Sequence, residues 1–336
     1  MRFPPLVRPA GVAPRLIAAF LTAAFGASAA PTLVQAQDYP TRPVTLIVPF
    51  PAGGGVDGVG RIVAEKLTAA LGQQVVVDNR GGVAGLIGTR VAVRATPDGY
   101  TLVMATTGSV AINPTLYANP GYDPRKDLAP IGLISSTPIV LMAHPSFPAK
   151  SVADVIALAK KEPGKLNVGT PPPGTSSHLA AELFKAMAGI DFTIVTYKGT
   201  GPLTTDLLGG HVPLAFNVLA PAMGNLQSGS LRAIATAGPT RSRLLPDVAT
   251  AGEAGLAGFE AVLHYGLLAP TGTPRPIIDR LNKELRTLID SPEVRARIAG
   301  DGGDPLPSSP DEYATDIDRE ETKWSALIKR LQLRVD

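Results

Sequence analysis

The stretch from Val44 to Asp57 limits what this chain can fold into more than any other. Val44-Thr45-Leu46-Ile47-Val48 runs through Pro49-Phe50-Pro51-Ala52 into Gly53-Gly54-Gly55. A short apolar run of this kind marks a strand buried between helices in a parallel sheet. Residues 58–71 then carry Ile62, Val63, Leu67 and Leu71 at helical spacing, so strand, turn and helix follow one another. Glycines in such a turn let backbone N–H groups approach a ligand closely, and the helix start adds unpaired donors and a partial positive charge. The unit favours an anion, either a carboxylate or a phosphate.

Gly53-Gly54-Gly55-Val56-Asp57-Gly58 also satisfies the spacing of a dinucleotide-binding turn, and Asp78, about 20 residues on, stands where a ribose-binding acid belongs. A Rossmann-type NAD-dependent oxidoreductase is therefore one reading. Pro49 and Pro51 weigh against it by lengthening the exit from the strand, and the N-terminus weighs more heavily. Arg2, Arg8 and Arg15 precede an apolar run over residues 16–25, and small-residue sites follow at Ala27-Ser28-Ala29 and Val34-Gln35-Ala36. These are the parts of a secretory signal peptide, with cleavage expected after Ala36. The run is too short to span a membrane. Export to the periplasm separates the product from the cytoplasmic NAD(H) pool.

Of 31 basic and 28 acidic side chains, the signal holds three arginines and no acid, so the exported chain is formally neutral. That gives no case for nucleic-acid binding, which needs a clustered basic face. Cysteine is absent, which excludes disulfides, thiolate metal sites and a lipid-anchored cysteine, and the product is expected to be freely soluble. A chain of this length exceeds the usual single core, so two domains are expected.

Further units follow the first. Val75-Val76-Val77 leads into a second glycine-rich turn at residues 79–85, and a strand over residues 100–105 ends in Thr106-Thr107-Gly108-Ser109. Three strand ends emitting small or hydroxyl-bearing loops point to one ligand edge, which brings in Thr106. Residues 113–127 read as irregular surface structure. Leu166-Asn167-Val168 opens into Gly169-Thr170-Pro171-Pro172-Pro173-Gly174-Thr175-Ser176-Ser177-His178 and a helix over residues 179–188. Here stiff prolines fix a loop in which Thr175, Ser176 and backbone N–H groups can donate to an oxyanion. The bland alternative makes Ser176 or Ser177 an N-cap and His178 a surface residue of the first turn. Ser309-Pro310 with Glu312 spells a capping box before a last helix whose Trp324, Ile328 and Leu331 share an apolar face. Two long strands, residues 131–143 and 259–268, read as crossovers between domains. The expectation is an α/β protein of two doubly wound domains, residues 37–137 with 263–336 and an inserted 138–262, with a ligand cleft between them.

The chain resembles the substrate-binding proteins of tripartite tricarboxylate transporters, also called the Bug family. The resemblance rests on Tyr39-Pro40 with Arg42-Pro43-Val44, Val48-Pro49-Phe50 with Ala52-Gly53-Gly54 and Asp57, Leu71-Gly72-Gln73 leading to Asn79-Arg80, and Pro97-Asp98-Gly99-Tyr100. It continues through Ser177-His178-Leu179 with Glu182-Leu183-Phe184, Tyr197-Lys198-Gly199 and the capped last helix. It implies a type II-like periplasmic binding-protein fold, a Venus-flytrap that closes on a small organic acid. The family's contacts fall on Phe50, Ala52, Gly53, Gly54 and Asp57 of the first loop and on Thr170, Thr175, Ser176, Ser177 and His178 of the second domain. Asn217 stands where relatives often carry an acid, and Ile194-Val195-Thr196-Tyr197 departs from the usual His-Val-Pro-Tyr, so ligand identity is not inherited.

The expected function is a monomeric, non-enzymatic periplasmic receptor that passes a di- or tricarboxylate, acidic amino acid or aromatic acid to membrane transporter subunits. A ligand-binding partner of a membrane sensor is an alternative. No cofactor or metal is expected: no nucleophile elbow or His-Glu-x-x-His pair is present, and His144, His178, His211 and His264 have no metal-ligand spacing.

Overall fold

A computed structural model describes residues 39–336, together with residues 1, 4 and 5. The signal run and the cleavage site after Ala36 lie outside the described residues. The elements of the first half are β1 (Val44–Val48), α1 (Gly55–Leu71), β2 (Val75–Asn79), α2 (Leu86–Val93), β3 (Thr101–Thr106), α3 (Asn113–Leu116), α4 (Pro124–Asp127) and β4 (Leu128–Ala143). Then come α5 (Val152–Lys161), β5 (Asn167–Thr170), α6 (Ser176–Ala188), β6 (Thr193–Thr196), α7 (Thr200–Leu208), β7 (Leu214–Val218), α8 (Met223–Gln227) and β8 (Arg232–Thr236). The chain closes with β9 (Val262–Pro270), α9 (Arg275–Asp290), α10 (Pro292–Gly300), β10 (Asp304–Pro305) and α11 (Pro310–Arg330).

The strands form one mixed sheet in the order β2-β1-β3-β9-β4-β7-β5-β6, with β8 and β10 also pairing β4. β1 lies parallel to both β2 and β3, and β5 lies parallel to both β6 and β7, so each end of the sheet is a parallel set. The seam is antiparallel. Leu128 to Pro138 of β4 pair with β9, and from Ile139 to Ala143 β4 pairs with β7 and β8 instead. At 16 residues β4 is far longer than the usual strand of about 5–6. Its length allows it to serve both ends, and burial along almost all of it accounts for its apolar sequence.

The capping box read from sequence at Ser309 corresponds to a real helix end, and a second one opens α5. Ser151 with Asp154 and Ser309 with Glu312 both make reciprocal capping boxes. Trp324 is fully buried on the inner face of α11, and its Nε1 donates to Glu320 Oε2 at 3.0 Å. Asp38–Asp336 clusters as one compact unit, with an apolar core that continues across the seam.

The expectation for residues 113–127 is corrected. Instead of irregular surface, the segment contains α3 and α4 and buries Asn113, Leu116, Tyr117 and Tyr122. Its prolines and polar residues mark helix starts: Pro114 and Pro124 occupy first-turn positions, and Asp123 caps α4 by accepting from Arg125 N.

Candidate ligand-binding site

A cavity of about 330 Å³ opens where loops from both ends of the sheet meet. This is within the size range of small-molecule pockets, about 300–1,000 Å³. One wall is the loop after β1, from Phe50 to Val56, with the turn from Gly82 to Gly85. The facing wall is Pro171, Pro172 and Thr175 to Ser177, joined by Lys198 to Pro202. Thr106, Val218, Leu263 and Tyr265 complete the lining.

The first loop is shaped by a carboxylate behind it. Asp57 is buried, and its Oδ2 accepts from Gly53 N and Arg61 Nε, each at 2.9 Å, while its Oδ1 accepts from Asn79 Nδ2 at 2.9 Å. Asn79 Nδ2 also donates to Phe50 O. Burial pushes the Asp57 carboxyl up, but the donors from Arg61, Gly53 and Asn79 more than offset this and hold it below its ordinary value. Gly53 sits at φ 81°, the left-handed conformation that the turn needs and that glycine adopts without strain. The helix begins at Gly55, where a Cβ would stand 3.0 Å from Tyr265 Oη.

Three helices present their N-terminal ends to the cavity: α1 behind Gly54, α6 behind Thr175 and α7 behind Gly199. Neither Gly54 nor Gly199 supplies a side-chain cap, and Thr175 accepts only from His178 N. The first N–H groups of these helices, with the positive ends of their dipoles, therefore face one space. Ser176 is buried on this wall, and its Oγ has no hydrogen-bond partner within the protein. Among the described lining residues the exposed Lys198 is the one cation, and none is acidic.

The proline-rich loop docks on the other side of the cavity. Tyr117 Oη donates to Pro173 O at 2.8 Å, and Asn113 Nδ2 donates to Ala84 O at 3.0 Å. Gly174, at φ 91°, lies so close to Asn113 that a Cβ there would be 2.2 Å from Asn113 Oδ1. Beside it, Val83 and Ala84 hold φ values of 47° and 50°, a left-handed conformation that costs a residue with a Cβ roughly 1–2 kcal/mol.

Of the residues singled out from sequence, Phe50, Ala52, Gly53, Gly54, Thr106, Thr175, Ser176 and Ser177 line the cavity. Asp57, Thr170, His178 and Asn217 lie behind its surface. Thr170 is fully buried with its Oγ1 donating to Pro171 O, and Asn217 accepts from Val218 N while donating to Thr204 Oγ1. Two local readings are corrected. The N-cap of α6 is Thr175 rather than Ser176 or Ser177, because the helix starts three residues earlier than the expected Leu179. His178 is buried rather than on the surface, and desolvation lowers its pKa to about 4. The glycines at 199 and 201, the strained turn at 83–84, Leu263 and Tyr265 were not among the residues singled out. The glycine-rich turns carried a sequence signal, whereas nothing in an apolar strand marks the two residues of β9.

Asp78 forms an ion pair with Arg80, and Pro49 to Ala52 separate β1 from Gly53. Among the described residues one group could offer three ligand atoms to a metal: His264, Asp316 and Glu320, within 4.8 Å of one another. It forms across β9 and α11, which spacing along the chain does not reveal. These groups already satisfy each other and their neighbours. His264 Nδ1 meets Asp316 Oδ2 at 2.8 Å, Arg319 pairs with Asp316, and Glu320 holds Trp324. They read as a buried strut between β9 and α11.

A mixed sheet with parallel sets at both ends, and a cavity walled by loops and helix starts from each, defines a solute-binding protein of the periplasmic type, an α/β fold shared with solved periplasmic binding proteins. The chain belongs to the tripartite tricarboxylate transporter receptor family, TctC, whose description as "Tripartite tricarboxylate transporter family receptor" matches residues 59–333. It is 34% identical over 297 residues to protein BugT of Bordetella pertussis, covering 88% of this chain and 91% of BugT. Among solved structures, Rpa4515 of R. palustris with adipate is 35% identical with a TM-score of 0.84, covering 87% of this chain and 98% of that one. MatC of Rhodopseudomonas palustris with bound malate is 31% identical with a TM-score of 0.81, covering 86% of this chain and all of that one. No described helix is long and apolar enough to cross a membrane.

Proposed function

We propose that this protein is a non-enzymatic receptor that captures a small organic carboxylate in the periplasm and delivers it to the membrane subunits of a tripartite tricarboxylate-type transporter. The observation that carries this reading is the convergence of the α1, α6 and α7 N-termini on one cavity whose wall includes Ser176, a buried residue with an unpartnered Oγ. Fixed dipoles and hydroxyls stabilise a carboxylate without the desolvation cost of a buried ion pair. Two relatives with the same fold hold adipate and malate.

In this reading residues 37–137 with 263–336 form one lobe and residues 138–262 the other, and the lobes close on the ligand as a monomer. The change of partners along β4 after Pro138 supports a hinge there, and the Pro173 and Gly174 contacts with Tyr117 and Asn113 would form on closure. Residues 1–36 would act as the export signal.

The test is a thermal-shift and calorimetric screen of the protein purified from a periplasmic extract, against aliphatic and aromatic carboxylates with NAD(H) as a control. A ligand at 100 times its dissociation constant stabilises by about 2.7 kcal/mol. Stabilisation by a carboxylate supports the receptor; stabilisation by NAD(H) alone refutes it and restores the dinucleotide reading.

A further inference from the structure

We propose that Tyr265, carried by the sheet rather than by either loop, donates its hydroxyl hydrogen to an oxygen of the bound carboxylate; this rests on the receptor reading above. Successive side chains of a strand point to opposite faces. In β9 the even positions face α11: His264 Nδ1 meets Asp316 Oδ2 at 2.8 Å, and a Cβ at Gly266 would collide with the Tyr313 ring. Leu263 and Tyr265 take the other face, where both line the cavity. A Cβ on Gly55 would lie 3.0 Å from Tyr265 Oη and 3.9 Å from Val218 Cγ2, so the hydroxyl sits beside the first residue of α1, among residues that line the cavity.

Tyr265 is only 4% exposed, yet its hydroxyl makes no hydrogen bond to any described residue. Buried tyrosine hydroxyls usually find a partner. Tyr39, Tyr117 and Tyr122 donate to Gly99 O, Pro173 O and Ser109 O, and Tyr313, which also has no partner, packs against Gly266 and does not line the cavity. Burial, reinforced by the charge of Asp301, pushes the Tyr265 hydroxyl pKa well above its ordinary value. The group keeps its proton and can donate it to an anion. The sheet fixes where it does so. Tyr265 pairs with Thr106 of β3 on one side and Ser135 of β4 on the other, and His264 N donates to Thr107 Oγ1 at 2.9 Å. A donor positioned in this way costs a ligand little further ordering.

Tyr265→Phe keeps the ring and removes only the hydroxyl. Adipate, malate and 3-phenylpropionate are screened with the other acids above, and the one that stabilises the wild type most is titrated by calorimetry into both proteins, purified from periplasmic extracts. Affinity is expected to fall about 10-fold or more, as for the loss of a hydrogen bond to a charged group. The ligand-free melting midpoint should not change, because the hydroxyl has no partner within the described protein to lose. The ultraviolet difference spectrum produced by the acid should contain a tyrosine signal that Tyr265→Phe lacks. Gly55→Ala places a methyl group 3.0 Å from Oη and should also weaken binding, with a smaller further loss when Tyr265 is already phenylalanine. Unchanged affinity in Tyr265→Phe, or a loss matched by a lower ligand-free midpoint, overturns the inference and leaves the receptor standing. Binding of no acid by the wild type overturns the receptor reading and this inference with it.

Discussion

Gly174→Ala tests whether the proline-rich loop is a latch that closes the cavity. The residue sits at φ 91°, where an L side chain is strained by about 1–2 kcal/mol. The added Cβ would fall 2.2 Å from Asn113 Oδ1, 2.9 Å from Tyr117 Cε2 and 3.3 Å from Ala84 Cβ. The amide of Asn113 must then move and give up its bond to Ala84 O, a further loss of about 1 kcal/mol. The sum, about 2–3 kcal/mol, falls on the docked arrangement and is relieved when the loop swings away and position 174 leaves the left-handed conformation. Ligand affinity is therefore expected to drop roughly 30- to 150-fold by calorimetry, at about 1.4 kcal/mol per tenfold. Thermal stability without ligand should change little. Adding Asn113→Ala removes the clashing atom, so the double variant should lose less than the two single losses combined. Unchanged affinity in Gly174→Ala would refute the latch. An equal loss of ligand-free stability would also refute it, by showing that the contact belongs to the permanent fold.

Three other outcomes follow from the same geometry. Ser176→Ala should weaken carboxylate binding by about 0.5–1.5 kcal/mol, the worth of one hydrogen bond, and unchanged affinity in titration would remove Ser176 from the site. Asp57→Ala should cost about 1.5–3 kcal/mol in urea unfolding and weaken binding more than Ser176→Ala, because Gly53, Arg61 and Asn79 all lose their acceptor. In the wild type the folded Asp57 carboxyl lies below its ordinary value, so its contribution is present above the unfolded pKa and is lost as pH falls through the folded one. His178 titrates at about 4 in the folded chain against 6.5 unfolded, so between these values only the unfolded state takes up the proton. Its contribution is fully present above pH 6.5 and falls away by roughly 3 kcal/mol as pH drops to 4, at about 1.36 kcal/mol per unit. Urea midpoints of His178→Asn should therefore lack this part of the slope, and an identical pH profile would refute the assignment.

Much of the fold is legible in the chain because its signals are local. The run Val44–Val48, the capping residues Ser151 and Ser309, and Gly72 at φ 69° ending α1 each act within a few neighbours. The glycine-rich turns mark part of the cavity wall for the same reason, since the need for close backbone approach is written in residue type. Residues 113–127 misled because prolines and polar residues mark helix starts as readily as surface loops. His178 misled because a first-turn residue is exposed or buried according to what packs on it, and here it lies behind the cavity wall.

The sequence by itself determined a strand-turn-helix device that favours an anion, and a chain without cysteine whose basic and acidic side chains, 31 and 28, nearly balance. Only the tertiary structure decided which devices meet. It brought Gly199 and Thr200 beside Gly54, turned Asp57 inward to brace a loop, withdrew Asn217 and Thr170 from the cavity, and set Tyr265 behind Gly55. The physical reason is that donors and dipoles are properties of single residues and short segments. Which acceptors they leave free depends on pairings between residues far apart in sequence, such as Asn113 with Ala84 and Tyr117 with Pro173.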